Sequence, residues 1–438
     1  MKKRNGTDNF EIEGGHKLHG SISTNTSKNG AIALLPAALL NSGVTTLHGI
    51  PRIEEVFRMI ELLSSIGVSI KWTNKSTVKI KPPKIYKLEK INSEVAKKIR
   101  VSLYLMGILG GKIRNFRLPH SGGCNMGKRT ISAHRYAFLN MGLKVKTLEN
   151  EYLVSNNKLH PADFTLYEAS DMGAINALFL ASQIPGKTTI SFVPPNYQVQ
   201  EVCFFLQKLG VEIEGVGSST LTVKGIPKIS RKIEYYNSED PIESMMFISA
   251  AIVTNSKLEI TRAPIEFLRL ELLKLRAMGL KYKKTKNYFS KNGHTKLVDL
   301  IILPSKLRAL KDKIHALPYP GINSDNLPFF VPIATQAKGI TMIHDWMWEN
   351  RAIYFTELNR LGASITLADP HRVFIQGPTP LKGTEIICPP ALRPSVIIML
   401  AMLAAPGKSL LRNVYMINRG YEDIVKRFRS IGAKIRST

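Results

Sequence analysis

The sequence is poor in cysteine, tryptophan and acidic side chains, and it has no long apolar run. Its three cysteines, Cys124, Cys203 and Cys388, stand far apart and are odd in number. A disulfide framework needs paired cysteines at compact spacings, so this set argues for a reducing compartment. The longest apolar stretch, near Val396 to Ala405, is far short of the roughly 20 residues a membrane span requires. The basic start, Met1-Lys2-Lys3-Arg4-Asn5-Gly6, leads into polar residues and not into the apolar core of a signal peptide. The expectation is a cytoplasmic protein without a membrane partner.

The shortage of acid is the unusual feature. Asp and Glu total 33 against 61 Lys and Arg, a formal charge of +28. Such a balance suits either nucleic acid or an anionic small substrate. The basic residues are spread along the chain without a long block, and neither zinc-finger spacing nor an aromatic nucleic-acid motif accompanies them. Nucleic acid is therefore not the expected partner. With 44% hydrophobic and 21% charged residues the chain reads as globular, and 438 residues are too many for one ordinary core.

One phrase recurs six times: an apolar helix end, a glycine, then an extended alternation. It reads Ile66-Gly67-Val68-Ser69-Ile70, Met141-Gly142-Leu143-Lys144-Val145 and Leu209-Gly210-Val211-Glu212-Ile213. It returns as Met278-Gly279-Leu280-Lys281-Tyr282, Leu361-Gly362-Ala363-Ser364-Ile365 and Ile431-Gly432-Ala433-Lys434-Ile435. The glycines are 75, 68, 69, 83 and 70 residues apart. An amphipathic helix precedes each one, as in Val56-Phe57-Arg58-Met59-Ile60-Glu61-Leu62-Leu63. Glycine supplies the left-handed backbone that ends a helix cheaply, and the alternation suits a strand. Each unit of about 70 residues also holds a helix that is apolar nearly all round, as at Ala31–Leu40 and Met245–Ile252, and such helices are buried. Repeated buried helices beneath strands imply sheets packed around central helices. Three units in each of two domains is the simplest division, although periodicity alone does not fix it.

Four stretches carry chemistry. Ser27-Lys28-Asn29-Gly30 puts an ammonium beside the free N–H groups of a helix start, which suits an anion, although solvated lysines also stand there. Leu118-Pro119-His120-Ser121-Gly122-Gly123-Cys124-Asn125-Met126-Gly127-Lys128-Arg129 surrounds one thiol with glycines and two following cations. Those cations favour the reactive thiolate, and glycine mobility suits a lid. Cys203 and Cys388 lie in apolar stretches and read as buried and inert. In Leu317-Pro318-Tyr319-Pro320-Gly321-Ile322-Asn323-Ser324-Asp325-Asn326, Asp325 is a helix cap or a general base, and local pattern favours the cap. Arg351, Arg393 and Arg419 have the fork that grips carboxylate and phosphate, although lone arginines are commonly solvated.

Taken together and in this order, Lys28-Asn29, Gly122-Gly123-Cys124, Pro318-Tyr319-Pro320-Gly321 with Asp325, Glu349-Asn350-Arg351 and Arg419-Gly420-Tyr421-Glu422 resemble the UDP-N-acetylglucosamine 1-carboxyvinyltransferase family of enolpyruvyl transferases. The resemblance runs from about Phe10 to Ile435. It implies an inside-out α/β barrel of two domains, each of three βαβαββ repeats. Residues 1–27 would join 238–438, and 28–237 would form the second domain, with the site between them. It implies addition of an acceptor hydroxyl to phosphoenolpyruvate, then loss of phosphate, with no metal or organic cofactor. The implied partners are phosphoenolpyruvate and a uridine-nucleotide acceptor. Lys28, Arg129, Arg419 and Arg100 would hold phosphoenolpyruvate. Cys124 would act as acid or form an adduct, and it is the residue that fosfomycin alkylates in the family. Asp325 would take the acceptor proton. Asn29, Arg100, Arg129, His134, Ser170 and Asp325 would contact the acceptor, with Arg351 and Arg393 as further site arginines.

Several segments depart from the family pattern. Pro-x-Asp-Leu-His becomes Thr130-Ile131-Ser132-Ala133-His134, and Ser-Val-Gly-Ala-Thr becomes Ser170-Asp171-Met172-Gly173-Ala174. Arg-Glu-Pro-Glu becomes Pro195-Asn196-Tyr197-Gln198. Ala391 stands where the family has Asp, and Asp240-Pro241-Ile242-Glu243 keeps two acids but not the Arg between them. The phosphoenolpyruvate grip is intact while the nucleotide-sugar segments are altered. The expected acceptor is UDP-N-acetylglucosamine. The alternatives are another uridine nucleotide such as UMP, or a non-catalytic basic homologue.

Overall fold

The computed structural model describes residues 8–122 and 130–438. Its described strands form six sheets, five of four or more strands and one of three. The repeated phrase accounts for this directly. Each of the six phrase glycines has a left-handed φ, between 84° at Gly142 and 108° at Gly279. Each is preceded by a one-sided helix: Glu54–Ser65, Ser132–Asn140, Tyr197–Leu209, Arg269–Ala277, the 3-10 turns of Ala352–Leu361, and Ile424–Ser430. After each comes a strand: Ser69–Trp72, Leu143–Thr147, Glu212–Glu214, Lys281–Lys284, Ser364–Asp369 or Lys434–Ser437.

A second set of helices lies inside. Pro241–Val253 is buried at all of its residues, as is Tyr104–Gly110. Lys28–Ala37, Asp171–Ala181 and Leu392–Ala404 are buried along most of their length, and so is the short Phe330–Ala334. They are apolar all round because the sheets cover them, with each buried aliphatic or aromatic side chain contributing about 1.5–3 kcal/mol. This is the inside-out α/β arrangement, with helices central and sheets outermost.

Buried apolar side chains fall into two clusters. One spans Ala31 to Tyr235, and the other joins Phe10–Ile22 and Tyr197 to Ile242–Ile435. Phe10–Gly14 lies between Gly407–Arg412 and Lys434–Ser437, antiparallel to both. Ser21–Ser23 runs parallel to Leu258–Pro264, and Ile233–Tyr236 runs parallel to Thr45–His48. The chain thus passes between the clusters twice, near residues 24–30 and 236–240. At these crossings Ser27 N donates to Ser238 O (2.6 Å) and Lys28 N donates to the Asp240 carboxylate (3.2 Å). Among the described residues no helix is long and apolar enough to cross a membrane.

Candidate active site

The two crossings open onto a cavity of about 500 Å3 between the clusters. Three inner helices start at or near its wall, and capping fixes two of them. Ser27 Oγ accepts from Gly30 N (3.0 Å), which puts Lys28 and Asn29 on the first turn of their helix. Ser170 Oγ accepts from Gly173 N (3.2 Å), which puts Asp171 likewise. The third helix, Leu392–Ala404, begins at Ala391 without a side-chain cap and carries Arg393 inward.

Lys28, Asn29, Arg100, His134, Ser170, Asp325, Arg351, Arg393 and Arg419 all line this cavity. They come from eight stretches of chain spread over nearly 400 residues. Cys124 and Arg129 lie outside the described residues. Cys203 and Cys388 are both buried, and burial pushes each thiol up to about 12, so neither is a nucleophile.

The charges are arranged in fixed groups. Arg393 Nη2 donates to Asp325 Oδ2 (2.9 Å), and its Nη1 donates to the Tyr421 hydroxyl (2.6 Å). Burial would raise the Asp325 carboxyl, but the Arg393 charge and hydrogen bond outweigh it and hold it below the usual range. This overturns the cap reading of Asp325. The cap position of the next short helix is Asn326, which makes no capping bond, and the Asp325 side chain turns to Arg393 instead. Arg351 is fully buried. Its Nε and Nη2 grip Asp345 (2.5 and 2.8 Å), and Nη2 also donates to Ser324 O (2.7 Å).

The third group differs. Lys28 Nζ and Arg419 Nη2 share a single acid, Glu55, at 2.8 and 2.5 Å. Burial opposes the charge on Glu55, but the two cations prevail and pull its carboxyl down to about 2. Two cations on one carboxylate leave a net positive charge at this end of the cavity. That is the electrostatic signature of a site for a further anion.

Further lining groups are polar. Asp171 Oδ2 accepts from Asn196 Nδ2 (2.9 Å) and Gln198 Nε2 (2.6 Å). Desolvation there pushes the Asp171 carboxyl up to about 6, against those two bonds. His134 is buried, and Asn176 Nδ2 donates to its Nδ1 (3.0 Å). Burial and the Arg100 charge lower its pKa to about 3, so His134 stays neutral and serves as a hydrogen-bonding group. Asn29 Nδ2 donates to the Tyr197 hydroxyl (2.7 Å), and Arg100 Nη2 donates to Thr130 O (2.7 Å). Asp240 caps its helix through Ile242 N (2.8 Å), while Glu243 accepts from Asn25 N (2.5 Å) and pairs with Arg427 (3.3 Å).

Sequence reasoning missed Glu55, Asp345, Asp171, Asn196 and Gln198 as site groups. The last three were visible as departures from a pattern. Glu55 was hidden because an acid in the first turn of a helix ordinarily complements the helix dipole.

The family model of EPSP synthase (3-phosphoshikimate 1-carboxyvinyltransferase) matches residues 12–428. The chain belongs to this family of 1-carboxyvinyltransferases. It is 35% identical to the UDP-N-acetylglucosamine 1-carboxyvinyltransferase of Treponema denticola, over 97% of this chain and 98% of the relative. It is 32% identical to the enzyme of the same name from Borreliella burgdorferi, over 98% of both. Among solved structures, the enolpyruvyl transferase NikO from Streptomyces tendae shares the fold with a TM-score of 0.84 at 23% identity, covering 99% of each chain. EPSP synthase from Acinetobacter baumannii gives 0.75 at 17% identity, covering 99% of this chain and all of its own. As a 1-carboxyvinyltransferase, the protein has its carboxylates and cations in the cavity that separates the two clusters.

Proposed function

We propose that the protein transfers the enolpyruvyl group of phosphoenolpyruvate to the 3'-hydroxyl of UDP-N-acetylglucosamine and releases phosphate. One observation carries the reading at residue level: the uncompensated positive charge at Lys28, Glu55 and Arg419 shares a cavity with a carboxylate, Asp325, that is kept ionised. Near-full-length identity of 35% to a relative of that activity supports the acceptor.

On this reading Lys28, Arg419, Arg100 and Arg129 hold the carboxylate and phosphate of phosphoenolpyruvate. Fixed cations need no rearrangement as charge shifts, which makes them effective in the transition state. Asp325 accepts the proton of the acceptor hydroxyl as its oxygen bonds to C2 of phosphoenolpyruvate. An acid delivers a proton to C3, and Cys124 is the assigned group. The tetrahedral adduct then loses a proton from its new methyl group, the C2–O bond to phosphate breaks, and the enol ether remains. Asn29, His134 and Ser170 orient the acceptor, while Arg351 and Arg393 hold the frame. We also propose two domains, residues 1–27 with 238–438 and residues 28–237, a cytoplasmic setting, and a place in peptidoglycan synthesis. No nucleic acid is bound.

Phosphate release from phosphoenolpyruvate, measured with UDP-N-acetylglucosamine, UDP and UMP, tests the reading. Turnover with UDP-N-acetylglucosamine alone is expected. Turnover with UMP alone would move the acceptor, and none with any would remove the activity. Fosfomycin should add one adduct to the intact protein and none to Cys124→Ala.

A further inference from the structure

Glu55 is an acid of the cavity to which the reaction above gives no part. Its neighbour Glu54 behaves as a first-turn acid ordinarily does, pairing within its own helix with Arg58 (2.8 Å). Glu55 instead reaches 364 residues along the chain, to Arg419. Its helix, Glu54–Ser65, packs through Val56, Met59, Leu62 and Leu63 into the cluster of residues 31–235. Arg419 sits in Tyr415–Gly420, between Ile417 and Tyr421 of the other cluster. Lys28 stands at the crossing between them. One carboxylate oxygen is given to each cation, and all three side chains are about 14–17% exposed.

We infer that Glu55 is a positioning residue that joins an anion-holding cation of one half to that of the other, so that the phosphoenolpyruvate grip is complete only when the halves are together. This rests on the function proposed above. The geometry explains why an acid is needed inside an anion site. Two cations brought this close repel, and a carboxylate between them cancels the repulsion while using one donor of each. The remaining donors of the ammonium and the guanidinium then face a substrate anion in fixed register. Because the Glu55 carboxyl lies near 2, it stays ionised throughout the working range and is no proton donor. Length matters as much as charge, since an aspartate is one methylene shorter and cannot reach both partners from the same helix.

The test is steady-state kinetics of the full chain as parent, Glu55→Gln, Glu55→Asp and Glu54→Gln, with KM measured separately for phosphoenolpyruvate and UDP-N-acetylglucosamine. Glu55→Gln should raise the phosphoenolpyruvate KM at least tenfold and leave that of the acceptor within twofold. Glu55→Asp should fall between, and Glu54→Gln should match the parent. Should Glu55→Gln fail to fold, Glu55→Asp alone decides, by a rise of threefold or more confined to phosphoenolpyruvate. An unchanged or lower phosphoenolpyruvate KM in both Glu55 variants would overturn the inference, because Glu55 would then be idle or a competitor of the substrate. So would an equal rise in both KM values, the mark of a merely structural acid. A parent without turnover would refute the functional reading itself, and this inference with it.

Discussion

Replacing Arg393 with Gln should make the stability of this protein depend on pH in a way the parent does not. Arg393 is nearly buried and Asp325 is about one quarter exposed, at 7% and 26% of their side-chain surface. Removing one partner of a buried pair costs about 3–5 kcal/mol, and the partial exposure of Asp325 points to the lower end, about 3 kcal/mol at pH 7.5. In the parent the folded-state pKa of Asp325 is depressed. Its contribution is therefore fully present above the unfolded value and is lost only as pH falls through the folded one. Without Arg393, burial is left as the dominant influence and the sign reverses. Asp171 shows what this cavity does to a carboxylate held by amides alone, pushing it up to about 6. A group so raised sheds its cost by protonating, so the deficit of the variant shrinks in acid. If Asp325 follows Asp171, the deficit at pH 4.5 is smaller than at pH 7.5 by about 2 kcal/mol, at 1.36 kcal/mol per unit. Urea midpoints of the two proteins at several pH values give the comparison. A deficit that is constant from pH 4.5 to 7.5 would show that Arg393 does not govern the ionisation of Asp325. The acid limb of kcat/KM should move upward in the same variant.

Three further outcomes follow from the same geometry. Asp171 loses its charge below about 6, so the KM for the anionic acceptor should fall as pH drops from 7 to 5, and Asp171→Asn should abolish that trend. Ala391→Ser supplies the missing cap to the helix Leu392–Ala404 and should stabilise the protein by about 1 kcal/mol, read as a rise in thermal midpoint. Gly142→Ala meets both a φ of +84° and the Lys158 carbonyl oxygen 2.3 Å from the added Cβ, whereas at Gly67 the nearest atom is 3.6 Å away. The first should cost more than 2 kcal/mol and the second about 1–2 kcal/mol, the bare left-handed penalty, in paired denaturation curves.

The repeats were legible because each is built from local rules. Helical spacing, a left-handed glycine and strand alternation are all short-range, and six copies remove the ambiguity of one. The insertion of Phe10–Gly14 between strands some 400 residues away left no local mark, and only the resemblance suggested it. In the site, Lys28 and Asn29 were readable because they open a helix whose apolar body announces its burial. Asp325 was half-readable. Its chain position suits a cap, and the partner that turns it away, Arg393, is 68 residues distant. Glu55 was unreadable because it acquires its role from Arg419, a cation that only tertiary structure brings near.

The pairing of these cations bears on how the cavity holds its shape before substrate arrives. Arg393 and Arg351 each have their own acid, so they are neutralised and rigid. In Arg351, however, Nη1 is buried and finds no partner among the described residues. A buried donor left unmade costs about 1–3 kcal/mol, more for a charged group. Asp345 holds the other side of that guanidinium, so it cannot turn to relieve the cost. The net positive charge at Lys28 and Arg419, by contrast, faces the cavity and would be met by a ligand's anionic groups. The ligand-free cavity thus leaves the positive charge at Lys28 and Arg419 unmet, and a molecule carrying a carboxylate and a phosphate on a short carbon frame would meet it. A neutral sugar would leave that charge standing.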